Sequence, residues 1–293
     1  MTEIRKLFGN AKTDSLLWET YVSSENCKER FAGSKVLYIF FSSQGLWNAP
    51  DPDSFSQRVI SQDYYDYYNV TQSKFFAKNK FDLLFVRDIY LSWYAYGINE
   101  RVDSQSALTD FLAEKSKAYD EVVAVGSSAG GYAAILFGAR INADRIIVFG
   151  AQNDLAGHLE FYKDSDVYDY FDADSGRAIL DLAPLIREYS GKIYYFYASR
   201  AKVDIFQFSR LEGAPCVVAF PIRSDEHGRT LLAENMLDVI CASDKKMLRI
   251  AKRIEGKEIG SVGFCFLSGG IFRFSAIMIR KIYRIVFKKK PVL

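Results

Sequence analysis

Histidine is scarce in this chain. Two in 293 residues means that any chemistry needing an imidazole has only His158 and His227 to draw on. The four cysteines, Cys27, Cys216, Cys241 and Cys265, lie far apart and form no C-x-x-C pair, so neither a metal site nor a disulfide framework is expected. A G-x-G-x-x-G run is missing, which removes the dinucleotide-binding fingerprint. No Pro/Gly/Ser-rich linker divides the chain. The longest uncharged run near the C-terminus, Ile259–Phe272, carries four glycines and is too short to cross a bilayer. The opening residues, MTEIRKLFGNAKTD, lack the apolar core of a secretory signal, and a cytoplasmic location is the expectation. A formal net charge of only +2 gives no reason to expect a nucleic-acid partner.

What is present is core material. Hydrophobic residues make up 49% of the chain and charged residues 25%, enough apolar surface for a large packed domain. Six apolar runs rich in β-branched and aromatic residues recur: Lys35–Ser43, Phe81–Asp88, Glu121–Ser127, Arg145–Gln152, Lys192–Ser199 and Cys216–Ile222. Each is continuous rather than alternating, as suits strands covered on both faces. Between them lie helical spacings, including Ser106–Tyr119 behind a capping serine and Thr230–Ala242 behind a capping threonine. The expected fold class is therefore α/β, a mainly parallel sheet flanked by helices. In such sheets ligands sit beyond the carboxyl ends of the strands.

One stretch fits that position. Gly126-Ser127-Ser128-Ala129-Gly130 follows an expected buried strand and leads into a helical segment, the setting in which G-x-S-x-G has mechanical meaning. A sharp turn puts the central serine in a strained conformation, and its neighbours two positions away, Gly126 and Gly130, must be small. Ser128 is thus the candidate nucleophile and Ser127 a turn residue. A serine hydroxyl needs a base that an acid orients. His227 follows the last expected strand, where the chain order Ser, Asp, His puts the base, and His158 reads as a surface or loop histidine. Asp204 follows the preceding strand and is the favoured acid, with Asp225, Glu226 and Asp181 as alternatives. The oxyanion hole takes one N–H from Ala129; a second is expected from the loop after the first long strand, from Ser43 or Gln44.

From about Lys35 to Ala242 the chain resembles the α/β-hydrolase superfamily, on the strength of GSSAGGYAA, Asp204, His227 and their order. More narrowly, VRDIYLSWYAYG (Val86–Gly97), GSSAGGYAAILFG and VFGAQND look like bacterial surface-polysaccharide proteins. These include capsule O-acetyltransferases with a hydrolase core and glycan-acetylating accessory secretion proteins. The resemblance implies an acyl group moved to or from a sugar hydroxyl of a polysaccharide or glycan precursor, with transfer preferred over deacetylation. A non-catalytic scaffold of the same fold is the remaining alternative. No tightly bound cofactor or metal is implied; acetyl-CoA is the candidate acyl donor. The chain departs from secreted esterases in lacking an HGGG-type oxyanion motif.

Two acid- and tyrosine-rich stretches stand apart. Leu159–Gly176 falls where a lid or insertion (about 153–190) is expected, and tyrosine faces there suit sugar rings. Asp63–Val70, DYYDYYNV, reads as a solvated segment. The division expected is a hydrolase-like domain over 1–260 and a basic tail over 261–293. From Ser261 onward there are seven basic residues and no acid, so the rest of the chain carries a formal charge of −5. As a helix over Ile271–Lys290, the tail aligns Arg273, Arg280, Arg284 and Lys288 on one face. Phe274, Met278, Ile282, Ile285 and Val286 lie mostly opposite, and Ile277 breaks the pattern. Such a helix suits an anionic membrane surface, making the protein peripheral on its inner face.

Overall fold

The computed structural model describes residues 8–9, 11–73, 76, 79–165, 169–171, 176–228, 230–232, 235–255 and 257–287. Its strands are β1 (Cys27–Arg30), β2 (Val36–Phe41), β3 (Asp82–Val86), β4 (Glu121–Ser127), β5 (Arg145–Phe149), β6 (Lys192–Ala198) and β7 (Val217–Ile222). They form one seven-stranded sheet in the order β1-β3-β2-β4-β5-β6-β7. Every neighbouring pair is parallel except β1 with β3, which is antiparallel at the edge. All six runs expected from sequence form strands. The additional β1, CKER, is a half-buried edge strand with too little apolar character to read as one.

The period of two along β2 explains the layering. Leu37, Ile39 and Phe41 enter one apolar cluster, and Tyr38 and Phe40 enter the other, on the opposite face. The longer helices are α1 (Ala11–Ser23), α2 (Gln105–Ser116), α3 (Ser128–Arg140), α4 (Leu155–Phe161), α5 (Ala183–Glu188), α6 (Lys202–Ser209), α7 (Met236–Ile240), α8 (Asp244–Ile254) and α9 (Ser261–Phe287). Helix α3 is buried over almost its whole length and packs in the first cluster with Leu108 and Leu112 of α2. Met247, Ile250 and Ile254 of α8 cover the second face.

Two helix starts differ from the expectation. Helix α2 is capped by Ser104, whose extended backbone lets its hydroxyl accept the Ala107 N–H, and Ser106 falls inside the first turn. Among the described residues the segment from Thr230 forms an α-helix only over α7; before it, Thr230 N–H donates to Gly228 O and Asn235 N–H to Leu232 O.

In α9 the backbone breaks at Gly270 (φ 69°, ψ 177°). Before the break, Phe264 packs edge-on against Phe196 and Phe220, and Ser268 Oγ donates to the buried Asn235 Oδ1. Burying one phenylalanine in this way stabilises by roughly 2–3 kcal/mol, so packing continues past residue 260. After the break, Ile271, Phe272, Ile279 and Ile282 are exposed, while Ile277, the residue that interrupts the amphipathic pattern, is buried. Lys288 and the side chains of Arg273, Arg280 and Arg284 lie outside the described residues. Among the described residues no helix is long and apolar enough to cross a membrane.

Candidate active site

Strand β4 ends at Ser127, and the chain turns directly into α3 with Ser128 at φ 51°, a left-handed conformation that costs a non-glycine residue about 1–3 kcal/mol. The glycines at either side follow from steric necessity. A Cβ on Gly126 would stand 1.9 Å from Gly130 O, and one on Gly130 would stand 2.3 Å from Phe41 O. The elbow is thus pressed against its own helix and against the end of β2. No larger residue fits either position without moving backbone.

The turn lifts Ser128 Oγ to 3.1 Å from His227 Nε2. His227 stands on the loop after β7, and its Nδ1 hydrogen-bonds Asp204 Oδ1. Asp204 lies in the first turn of α6, just after β6, and its second oxygen accepts the Ala198 N–H at 2.9 Å. The carboxylate is fully buried and the imidazole 27% exposed. With Nδ1–H donating to Asp204, the Nε2 lone pair is left to accept the serine O–H. The other acids considered from sequence do not reach the ring. Asp181 pairs with Arg210 at 3.2 Å, and Asp225 and Glu226 are exposed on the loop before His227.

A strained serine after β4, a buried aspartate after β6, a histidine after β7 and an antiparallel strand at one edge of a parallel sheet occur together in one architecture. The chain has the α/β-hydrolase fold.

Several solved structures resemble the chain in trace. The capsule O-acetyltransferase of Neisseria meningitidis serogroup A, solved as a mutant in complex with CoA, is 15% identical over 69% of this chain and 85% of its own, with a TM-score of 0.48. A carboxylesterase of the thaumarchaeon Nitrososphaera gargenis is 12% identical over 79% and 98%, with a TM-score of 0.45. The Glycosylation Associate Protein complex of Streptococcus agalactiae is 14% identical over 91% of this chain and 48% of its own, with a TM-score of 0.37. No protein-family model and no curated protein matches the chain. These are likenesses of chain trace, and the chemistry below rests on the chain's own residues.

Within the hydrolase fold, Ala129 is the buried residue that follows the turn serine at the N-terminus of α3. Of the two residues expected to supply the second amide, Ser43 is excluded. Its N–H and its hydroxyl both donate to Asp66 Oδ2, each at 2.8 Å, so that amide is already occupied. Gln44 remains; its side chain is held by Nε2 donating to Leu91 O at 2.6 Å.

Asp66 belongs to the DYYDYYNV stretch read as solvated, and here the structure corrects the sequence. Asp66 N–H donates to Ser42 Oγ, so backbone and carboxylate together fasten the loop after β2. Tyr65 is buried, and the Tyr67 hydroxyl bonds the side chain of Ser127. The stretch underpins the site because the acid and tyrosine tips find partners while the rings fill the core.

VRDIYLSWYAYG forms the neighbouring wall. Leu91, Trp93 and Tyr94 all have positive φ, and the buried Asp88 carboxylate holds them by accepting the N–H groups of Tyr90, Ser92 and Tyr94. Burial outweighs these bonds and pushes the Asp88 pKa up to about 6.

Between these loops opens a cavity of about 460 Å³ onto Ser128 and His227, lined by Trp47, Asn48, Gln152, Tyr162 and Tyr170. Among the described residues no group of three or more His, Cys, Asp or Glu is arranged to hold a metal. His158 is not a surface residue. It is fully buried in α4, with Nε2 3.1 Å from Gln152 Nε2, and burial, reinforced by His227 and opposed by Asp204, lowers its pKa to about 4. Its distance in sequence from Trp93, which it packs against, hid that environment.

Proposed function

We propose that the protein is a serine acyltransferase in which Ser128, His227 and Asp204 act as nucleophile, base and orienting acid. The observation that carries the reading is the unbroken line of hydrogen bonds from a strained serine hydroxyl through an imidazole to a buried carboxylate. Ser128 Oγ attacks the acyl carbonyl while His227 Nε2 takes its proton, and Asp204 stabilises the imidazolium. The N–H groups of Ala129 and Gln44 receive the oxyanion. Collapse breaks the bond to the leaving group, which takes the proton from His227. An acceptor hydroxyl then loses its proton to His227 and attacks the acyl-enzyme, and that proton returns to Ser128 Oγ as the ester bond to the enzyme breaks.

The acceptor proposed is a sugar hydroxyl of a bacterial capsular or surface polysaccharide. Support comes from a cavity in which the rings of Trp47, Tyr162 and Tyr170 stand beside the amides of Asn48 and Gln152, a lining that suits a polyol. Acetyl-CoA is the proposed donor, since its thioester is activated relative to the ester product. Incubating the protein with acetyl-CoA and a panel of surface glycans tests the assignment. Acetyl esters should appear on one glycan, and Ser128→Ala should abolish both this and fluorophosphonate labelling. Loss of existing acetyl groups instead would identify a deacetylase. A folded protein that neither labels nor turns over would identify a scaffold.

The tail beyond Gly270 is proposed to rest on an anionic membrane surface. Phe272 is 90% exposed, Ile271, Ile279 and Ile282 are also presented to solvent, and the surrounding sequence is purely basic. Truncation after Gly270 should abolish co-sedimentation with phosphatidylserine vesicles. Unchanged sedimentation would refute the contact.

A further inference from the structure

Gln152, immediately beyond β5, is 1% exposed, yet it lines the cavity beside Ser128 and His227. Its backbone N–H donates to Ser128 O at 3.4 Å, so it is tied to the elbow itself. Nothing in the triad chemistry uses its side chain.

The orientation of that carboxamide is fixed by its partners. An indole N–H can only donate, so the Gln152 atom 2.6 Å from Trp93 Nε1 must be the oxygen. The NH2 group therefore faces His158 Nε2, at 3.1 Å. A neutral, buried His158 accepts there and keeps its proton on Nδ1. Trp93 in turn is packed edge-on against Phe171 and lies at the end of the strained wall held by Asp88. One Nε2 hydrogen of Gln152 is thus consumed. Among the described residues the second has no protein acceptor, and Gln152 is one of the residues that line the cavity. Held on its reverse side by Trp93 and His158, the amide cannot turn away from that position. A buried donor left unpaired is costly, so its partner comes from the cavity, water when the site is empty and the acceptor when it is filled.

Resting on the acyl-transfer reading, we infer that Gln152 is a specificity-determining residue whose second Nε2–H binds an oxygen adjacent to the attacking hydroxyl of the acceptor. The enzyme then selects vicinal diols, the unit that a pyranose presents, over isolated alcohols. A site built to pair a hydroxyl discriminates strongly against an acceptor that lacks it.

Partitioning of the acyl-enzyme provides the test without knowledge of the natural sugar. The full-length protein is acylated with p-nitrophenyl acetate, and the acetyl group is competed between ethylene glycol and ethanol. The products are counted by gas chromatography and corrected for the two hydroxyls of the diol. The wild type should favour the diol at least fivefold per hydroxyl. Gln152→Leu, which deletes the amide, and Gln152→Glu, which keeps its shape and an acceptor for Trp93 but removes the N–H, should each bring the ratio near one. A wild-type ratio already within twofold of unity overturns the inference. So does a diol preference retained in Gln152→Glu, which would make the residue a spacer. If Ser128 is never acylated, the acyl-transfer reading falls as well. If Ser128 acylates and the ratio is flat, only the role of Gln152 falls.

Discussion

Two clefts open at opposite ends of the same sheet, and they differ in how their polar groups are arranged. At the amino ends of the strands a cleft of about 710 Å³ is bordered by Asp120, Glu121, Asp144, Arg145, Lys192 and Asp244. Its central charge is already matched. Arg145 donates to Glu121 Oε1 through Nε and Nη2 and to Ala242 O through Nη1, binding β5 to β4 and to the start of α8. At the carboxyl ends the cavity is smaller, but its groups are aligned rather than neutralised. A hydroxyl, an imidazole and a carboxylate stand in line on backbone that is strained at Ser128, Leu91, Trp93 and Tyr94. Neither size nor charge density distinguishes the edge that carries the aligned groups. The direction of the strands does, because it decides where helix N-termini and sharp turns meet.

The contrast can be broken by substitution, beginning with the largest effect. Asp204→Asn removes the acceptor that fixes the His227 tautomer, and the rate of Ser128 acylation should fall about 10³- to 10⁴-fold while the melting transition persists. A fall below tenfold would show that the carboxylate does not set the ring. Gly126→Ala should cost about 3 kcal/mol or more, read from the urea midpoint, because its Cβ meets Gly130 O. A loss under 1 kcal/mol would mean that the elbow relaxes easily.

His158 gives the third effect, through pH. Its folded pKa is depressed from 6.5 to about 4, so between those values the unfolded chain binds a proton that the folded protein refuses. This contribution is complete above pH 6.5 and drains as the pH falls towards 4, by no more than about 3 kcal/mol. Asp88, with its pKa raised to about 6, acts with the opposite sign over much of that window, so the wild-type slope is a difference of two. His158→Gln should therefore lose less stability than the wild type between pH 6.5 and 4. Parallel denaturation curves for the two proteins would remove His158 from the account. Smallest is Arg145→Met at the other edge, expected to cost about 2 kcal/mol because Glu121 stays partly hydrated. Fluorophosphonate labelling per folded molecule should be unchanged, and reduced labelling would show that the two edges communicate.

Much of this architecture was legible in sequence because the signals were local. Continuous apolar runs marked six strands, and the spacing of Gly126, Ser128 and Gly130 marked a turn whose steric reason lies within five residues. His227 and Asp204 were legible through chain order, since each follows a strand recognisable on its own. The residues that were misread act across distance. Asp66 fastens a loop more than twenty positions away, and its tyrosine-rich surroundings look hydrophilic until their rings are seen inside the core. His158 is buried by partners brought in from Trp93 and Gln152, which no periodicity connects to it. Ser43 and Gln44 could not be separated, because what divides them is the carboxylate that one of them meets.

The bonds joining Asp66 to Ser42 and Ser43 close the intervening chain into a pinned loop, and Trp47, Asn48, Ala49 and Pro50 on that loop form one side of the cavity mouth. The span between those feet is more than tethered chain: Leu46, Trp47, Phe55 and Val59 are buried with Leu17 and Tyr21 of α1, and Trp47 Nε1 donates to Ile89 O. That side of the mouth is therefore shaped by core packing, so re-sequencing it costs packing energy as well as loop entropy.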